Sequence, residues 1–294
     1  MSRSYRIRHV TTYRYGAAMT DGYTMTCLVP RPTVTQSVRS CSVALRPEPT
    51  EWDSYLDAFG NLVHQFGLHE PHESMTVEAI SVVDVEPAVV PVDATPWDAV
   101  ARLVSTSTGD VALEVAPFLA RSVFVDLESL GASLRSIAER SFRPGRPVVD
   151  AVRALCHDIN SSFEFDPHFS DVSTPLGDVL VARRGVCQDF AHLAVGCLRS
   201  IGLAARYVSG YIETVPPPGE PRLVGADASH AWCSVWTPLA GWVDFDPTND
   251  HLPVDDHVTV GWGRDYADVI PVRGVMIGPA TSQTLDVAVD VERC

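Results

Sequence analysis

Arg184-Gly185-Val186-Cys187-Gln188-Asp189-Phe190-Ala191-His192 is the stretch from which the rest of the chain is best read. Gly185 and Val186 end an extended approach. Beyond them the apolar residues Phe190, Leu193, Ala194, Cys197, Leu198 and Ile201 recur at spacings of three and four, and Gly202 follows. That pattern predicts a helix with one apolar face, closed by glycine as its C′ residue. Cys187 then falls at or just before the first turn. Unpaired backbone N–H groups and the positive end of the helix dipole favour an anion there. Cysteines in such places have thiol pKa values lowered from about 8.5 into the ~3.5–7.5 range, the low end also requiring a cationic neighbour. This is a position for a nucleophile.

The partners a nucleophile needs lie downstream. Residues 204–213 read as a strand, and 215–225, with four prolines, as a long mobile loop. Ser229-His230-Ala231-Trp232-Cys233-Ser234-Val235-Trp236 and Trp242-Val243-Asp244-Phe245-Asp246 flank a turn around Pro238 and Gly241, which is a hairpin signal. His230 and Asp246 each stand eight residues from Pro238, so a hairpin centred on that proline would set their side chains opposite each other. A thiol at a helix start, a histidine on a strand and a carboxylate on the next strand are the parts of a nucleophilic triad. The histidine takes the thiol proton and later protonates the leaving amine, while the aspartate orients the ring and steadies its cation. The backbone N–H of Cys187 is the natural first oxyanion donor. His192 lies five residues from Cys187 and is turned away from it; Cys197, Cys233, Trp232, Trp236 and Trp242 read as packing residues.

Composition bounds the rest. The chain has 294 residues, 46% hydrophobic and 20% charged, enough for a sizeable core and roughly two domains. All 22 basic residues are arginine, and the formal net charge is −15. Such an acidic balance argues against nucleic acid or an anionic membrane as the main partner. No apolar h-region opens the chain and no run approaches ~18 apolar residues, so the expected location is the cytoplasm. The seven cysteines are scattered with no C-x-x-C pair, which fits reduced thiols rather than disulfides or a zinc site. His69-Glu70-Pro71-His72-Glu73 lacks the second histidine of H-E-x-x-H, and Pro71 forbids a helix interior. No metal and no cofactor are expected.

Towards the N-terminus, Tyr5, Ile7, His9, Thr11, Tyr13 and Tyr15 alternate with other residues, and strand-like runs follow at 37–46, 62–68 and 74–85. These predict a β-rich unit, an antiparallel sandwich. Three prolines mark a connector over 86–96; helical patterns resume near 97–105, 130–141 and 147–160.

The order Cys187, His230, Asp246 resembles the transglutaminase-like superfamily. The resemblance rests on Gly-Val-Cys-Gln-Asp-Phe-Ala-His, Ala-Arg-Tyr-Val-Ser-Gly-Tyr, Ala-Ser-His-Ala-Trp and Gly-Trp-Val-Asp-Phe-Asp-Pro-Thr-Asn. More narrowly the chain is similar to the bacterial branch with its own β-rich N-terminal region, through Tyr5 to Tyr15, Asp57-Ala-Phe59-Gly60-Asn61, and Gly263-Arg264-Asp265-Tyr266-Ala267-Asp268-Val269. Papain itself fits poorly, since its histidine lies ~130–150 residues after its cysteine and here the gap is 43. The resemblance implies an α+β chain: a papain-like transglutaminase core with Cys187, His230 and Asp246 catalytic, preceded by the β-rich domain. The expected division is 1–86 for that domain, 87–130 for a connector with helices, and 131–294 for the core. The implied activity is cysteine-dependent acyl transfer on an amide bond, peptide, isopeptide or glutamine-like, of a peptide or protein through a thioester on Cys187, as in a cysteine protease or amidase. Hydrolysis is expected to compete strongly with transfer, and asparagine at 246 would be expected to serve tolerably. A catalytically silent scaffold or binding module on the same fold is the alternative, and the intact triad argues against it.

Overall fold

The computed structural model describes residues 2–89, 92–213 and 229–294; the proline-rich loop expected over 215–225 lies outside them. The chain opens with six strands, β1 (Arg3–Met19), β2 (Asp21–Thr26), β3 (Gln36–Arg46), β4 (Glu51–Leu56), β5 (Leu62–Leu68) and β6 (His72–Val85). Helices α1 (Trp97–Thr106), α2 (Gly109–Val115), α3 (Leu127–Ser141) and α4 (Val148–Ser162) follow. Then come β7 (Glu164–Phe165), α5 (Leu176–Ala182), β8 (Arg184–Gly185), α6 (Cys187–Ser200) and β9 (Ala205–Ile212). The chain closes with β10 (Ser229–Thr237), β11 (Gly241–Phe245), β12 (His257–Gly263), β13 (Val272–Ile277) and β14 (Gln283–Arg293).

Two four-stranded antiparallel sheets, ordered β14-β1-β6-β3 and β13-β2-β5-β4, make the β-rich unit. Period-two patterning builds them: Met75, Val77, Ala79, Ser81, Val83 and Val85 of β6 point inward in alternation. Tyr15, Met19, Leu45 and Val77 from the first sheet share a core with Phe66, Leu68 and Val272 from the second. The strand at 21–26 turns Gly22, Thr24 and Thr26 inward and the strand at 51–56 is exposed throughout, so neither shows an apolar alternation in the sequence.

The C-terminus departs from the expected division at 131–294. β14 pairs with β1 from Tyr5↔Arg293 to Tyr15↔Gln283, and β13 pairs with β2. Residues 272–294 therefore complete the N-terminal sheets instead of the core, because β1 and β2 would otherwise present unpaired edges. A second apolar cluster joins the two halves, with Tyr5, Ile7, Val83 and Val289 on one side and Tyr211, Val258 and Val260 on the other.

The third sheet, β11-β10-β9-β12, is antiparallel and packs against α6. α6 is buried from Gln188 to Arg199, on every side rather than on one face. Its polar residues are tolerated because each has partners. The Arg199 guanidinium donates to the carbonyls of Phe118, Ala120, Ala205 and Arg264. At the C-terminal end Gly202 (φ +85°) closes a Schellman turn, with Leu203 N–H on Leu198 O and Gly202 N–H on Arg199 O.

Candidate active site

Cys187 is the first residue of α6, and Val186 is its extended N-cap. Asp189, at the third helical position, accepts the Val186 N–H at 2.8 Å and the Ser170 hydroxyl. This ties down the strand-to-helix step and leaves the Cys187 N–H without an intrahelical acceptor. Burial raises the Asp189 carboxyl, against those two bonds. Gly185 is required there, since a Cβ would lie 2.9 Å from Asp189 Cβ. Cys187 is half-buried, whereas Cys27, Cys156, Cys197 and Cys233 are buried.

β10 and β11 form the expected hairpin with a different register. Thr237 pairs with Gly241 and Cys233 with Phe245, so the turn is centred on Leu239 and not on Pro238. Asp246 continues that register opposite Trp232, with His230 as its diagonal neighbour. The diagonal is within side-chain reach. His230 Nε2 stands 2.7 Å from Asp246 Oδ2. With Nε2 so committed, Nδ1 is the nitrogen left for Cys187, whose side-chain and charge interactions also act on the ring. Burial works against charge on His230, but Asp246 and Cys187 outweigh it and push the imidazole up to about 10. The reverse holds for Asp246. Burial disfavours its ionisation, yet hydrogen bonds from His230 and from His257 keep the carboxyl well below the usual range.

Asp246 divides its work between its two oxygens. Oδ1 accepts the backbone N–H groups of Thr248 (2.9 Å) and Asn249 (3.2 Å), capping the turn after β11. Oδ2 accepts from His230, from Asn249 Nδ2 (2.7 Å) and from His257 Nε2 (3.0 Å). The turn-capping and ring-orienting readings of this residue thus describe different atoms.

Trp232 supports the histidine. Its ring stacks on His230 at 6.1 Å between centroids, and its Nε1 donates to Asp244 Oδ2 at 3.2 Å. Gly210 on β9 makes room: a Cβ there would come within 2.6 Å of that indole and 2.0 Å of Val258 O. His192, as expected, does not join the site. It accepts the Tyr266 N–H at 3.2 Å, stacks on Phe124, and is held neutral by burial at about 3. Arg264 is paired with Asp268.

His257, Asp256 and Asn249 carry no role in the sequence-based reading. His257 opens β12, a strand that pairs with β9 and so reaches Asp246 through the tertiary fold. The local signal was meagre: an Asp-Asp-His step before an alternating run.

Among the described residues, two side-chain groups gather three ligand-type atoms within 4.8 Å, His230/Asp246/His257 and His251/Asp256/His257. In the first, both imidazoles face the same carboxylate oxygen at hydrogen-bond distance, so protons already match the atoms pairwise. A cavity of about 1010 Å³ lies behind, lined by Gln36 and Val85 of the β-rich unit and by Arg206, Trp242, Trp262 and His257 of the third sheet. Arg206 is stacked there over both indoles. None of Cys187, His230 and Asp246 lines it.

Residues 5–84 match the bacterial transglutaminase-like N-terminal region, and residues 135–247 match the transglutaminase-like superfamily. An uncharacterized protein of Mycobacterium tuberculosis is 39% identical over 98% of this chain and 92% of its own length. The chain belongs to the transglutaminase-like superfamily. A second uncharacterized relative, from Mycobacterium leprae, is 32% identical over 98% of both chains. A protein-glutamine gamma-glutamyltransferase of Pseudomonas aeruginosa is 38% identical over 24% of this chain and 11% of its own. Among solved structures, a candidate cysteine protease from Cytophaga hutchinsonii covers 100% of this chain and 91% of its own, with TM-score 0.76 and 21% identity. That likeness is one of fold. The transglutaminase-like core thus lies over α3 to β11, with the antiparallel β region before it.

Proposed function

We propose that this transglutaminase-like protein is a cysteine-dependent acyl-transfer enzyme acting on an amide bond of a peptide or protein. The observation that carries the reading is the buried His230–Asp246 pair, 2.7 Å apart, together with the half-buried Cys187 thiol at the start of α6, whose charge acts on the His230 ring. In this reading the Cys187 sulfur attacks the amide carbonyl and forms a carbon–sulfur bond. The resulting oxyanion lies by the Cys187 N–H at the start of α6. His230 gives its Nδ1 proton to the leaving nitrogen as the carbon–nitrogen bond breaks. Water then attacks the thioester, with His230 taking its proton, and the acid is released. A primary amine in place of water gives transfer. Hydrolysis is the favoured course because water is always present, whereas an amine acceptor has to be bound.

The test uses an activated acyl ester and a peptide amide, each with and without a primary amine. Cys187→Ala should abolish formation of the acyl-enzyme, seen by intact-protein mass spectrometry. His230→Ala should nearly do so. Full turnover by Cys187→Ala would overturn the reading. A folded wild-type chain whose Cys187 takes up no acyl group from any probe would favour the silent-scaffold alternative.

A further inference from the structure

We propose that His257 is a positioning residue for acyl transfer: by sharing Asp246 Oδ2 with His230 while held by Asp256, it limits how tightly the carboxylate binds the His230 proton. This rests on the reading of Cys187 as the nucleophile.

Proton accounting carries the inference. Asp246 Oδ2 faces three donors, His230 Nε2 at 2.7 Å, Asn249 Nδ2 at 2.7 Å and His257 Nε2 at 3.0 Å. Three donors saturate one carboxylate oxygen, and each bond weakens the hold on the others. The far nitrogen of His257, Nδ1, lies 2.8 Å from Asp256 Oδ1. Each nitrogen of the His257 ring thus faces a carboxylate oxygen, and each contact is a hydrogen bond when that nitrogen carries a proton. The His251 and His257 hydrogen bonds keep the Asp256 carboxyl low despite burial. The result is a continuous line of polar contacts from His230 through Asp246 and His257 to Asp256.

A second imidazole on Asp246 Oδ2 has a definite use. Acylation by an amide requires His230 to surrender its proton to the departing nitrogen. A carboxylate serving His230 alone would hold that proton more strongly. His257 draws on the same oxygen from a ring 5.5 Å from His230, centroid to centroid. The other titratable or charged groups around the two rings are Cys187 of α6, Cys156 of α4 (whose Sγ donates to Asp246 O) and Asp244 of β11 through Trp232. His251 precedes β12, and Glu86 and Arg206 line the cavity that His257 also borders. Of these, His257 is the imidazole besides His230 that touches Asp246.

The experiment compares wild type, His257→Gln and Asp256→Asn. Gln removes the ring. Asn can turn its amide N–H toward Nδ1, keeping the ring in place but removing the need for its second proton. The first readout is Cys187 alkylation by iodoacetate across pH 4–10.5. An anionic reagent gives a bell-shaped profile wherever a thiolate stands beside an imidazolium, and the alkaline limb reports loss of the His230 proton. Both variants should move that limb upward by about one pH unit, the scale of one charge a few ångströms away at intermediate dielectric. The second readout is the ratio of turnover on an amide to turnover on an activated ester, which needs little leaving-group protonation. It should fall on the order of tenfold in both variants.

An unmoved alkaline limb, or equal loss on amide and ester, would make His257 a packing residue and overturn the inference. If His257→Gln does not fold, as judged by its melting transition, Asp256→Asn decides alone. A wild-type chain with no bell and no preference for Cys187 over Cys294 would defeat the nucleophile reading itself, which is a different result.

Discussion

Replacing Asp246 with asparagine tests the site most severely, and the structure predicts a larger effect than the residue types suggest. Viewed as a triad member alone, Asp246 could yield to a neutral amide, which would still accept from the imidazole. The surroundings forbid it. Oδ2 meets donors from His230, His257 and Asn249, and Oδ1 meets the N–H groups of Thr248 and Asn249. An asparagine keeping its oxygen toward the imidazoles must aim its NH2 at two backbone N–H groups. Flipped, it aims the NH2 at three side-chain donors. The gentler orientation leaves the part-buried N–H groups of Thr248 and Asn249 without their acceptor, at up to about 1–3 kcal/mol each, and removes the charge opposite His230. The melting temperature of Asp246→Asn should fall by roughly 5–15 °C, and the rate on an amide by on the order of 10²–10⁴-fold. Thermal unfolding followed by circular dichroism and kcat/KM on one amide substrate measure both. An Asp246→Asn protein melting within a degree or two of wild type would refute the donor accounting, whatever its activity.

Three further outcomes are expected. Iodoacetamide at neutral pH should label Cys187 first and the exposed Cys294 next. Burial screens Cys27 (raised to about 12), Cys156, Cys197 and Cys233 and also raises Cys41; peptide mapping that finds Cys233 ahead of Cys187 would contradict this. Stability should respond to pH through His230: its folded value, about 10, lies above the ordinary imidazole value, so its contribution is complete below about pH 6.5 and lost as pH rises toward 10. Denaturation midpoints should therefore decline over that window, and His230→Ala should flatten the decline; an unchanged slope would remove the charged pair. Deleting residues 272–294 should destroy the cooperative unfolding of the N-terminal sheets, because β14 covers β1 over Tyr5 to Tyr15; a truncated chain with wild-type melting would show those strands to be dispensable.

Local order along the chain was decided by the residues themselves. The three-and-four spacing after Cys187 made α6 and put the thiol on its first turn, and Gly202 ended it, because helix starts and stops depend on a few adjacent residues. Alternation likewise marked β1, β3, β5 and β6, and the two runs around Pro238 marked the hairpin that carries His230 and Asp246. What the tertiary structure alone decided is every relation between distant segments. The hairpin turned about Leu239 rather than Pro238, yet the diagonal reach of the side chains preserved the His230–Asp246 contact. β13 and β14 crossed back to β2 and β1, since an edge seeks a partner without regard to distance along the chain. His257 met Asp246 because β12 pairs with β9, a pairing governed by the shared apolar cluster of Tyr211, Val258 and Val260 and by no motif around the histidine. Helix caps and periodicities are short-range and can be read from neighbours. Sheet order and the sharing of one carboxylate oxygen by two histidines are long-range, and only packing selects them.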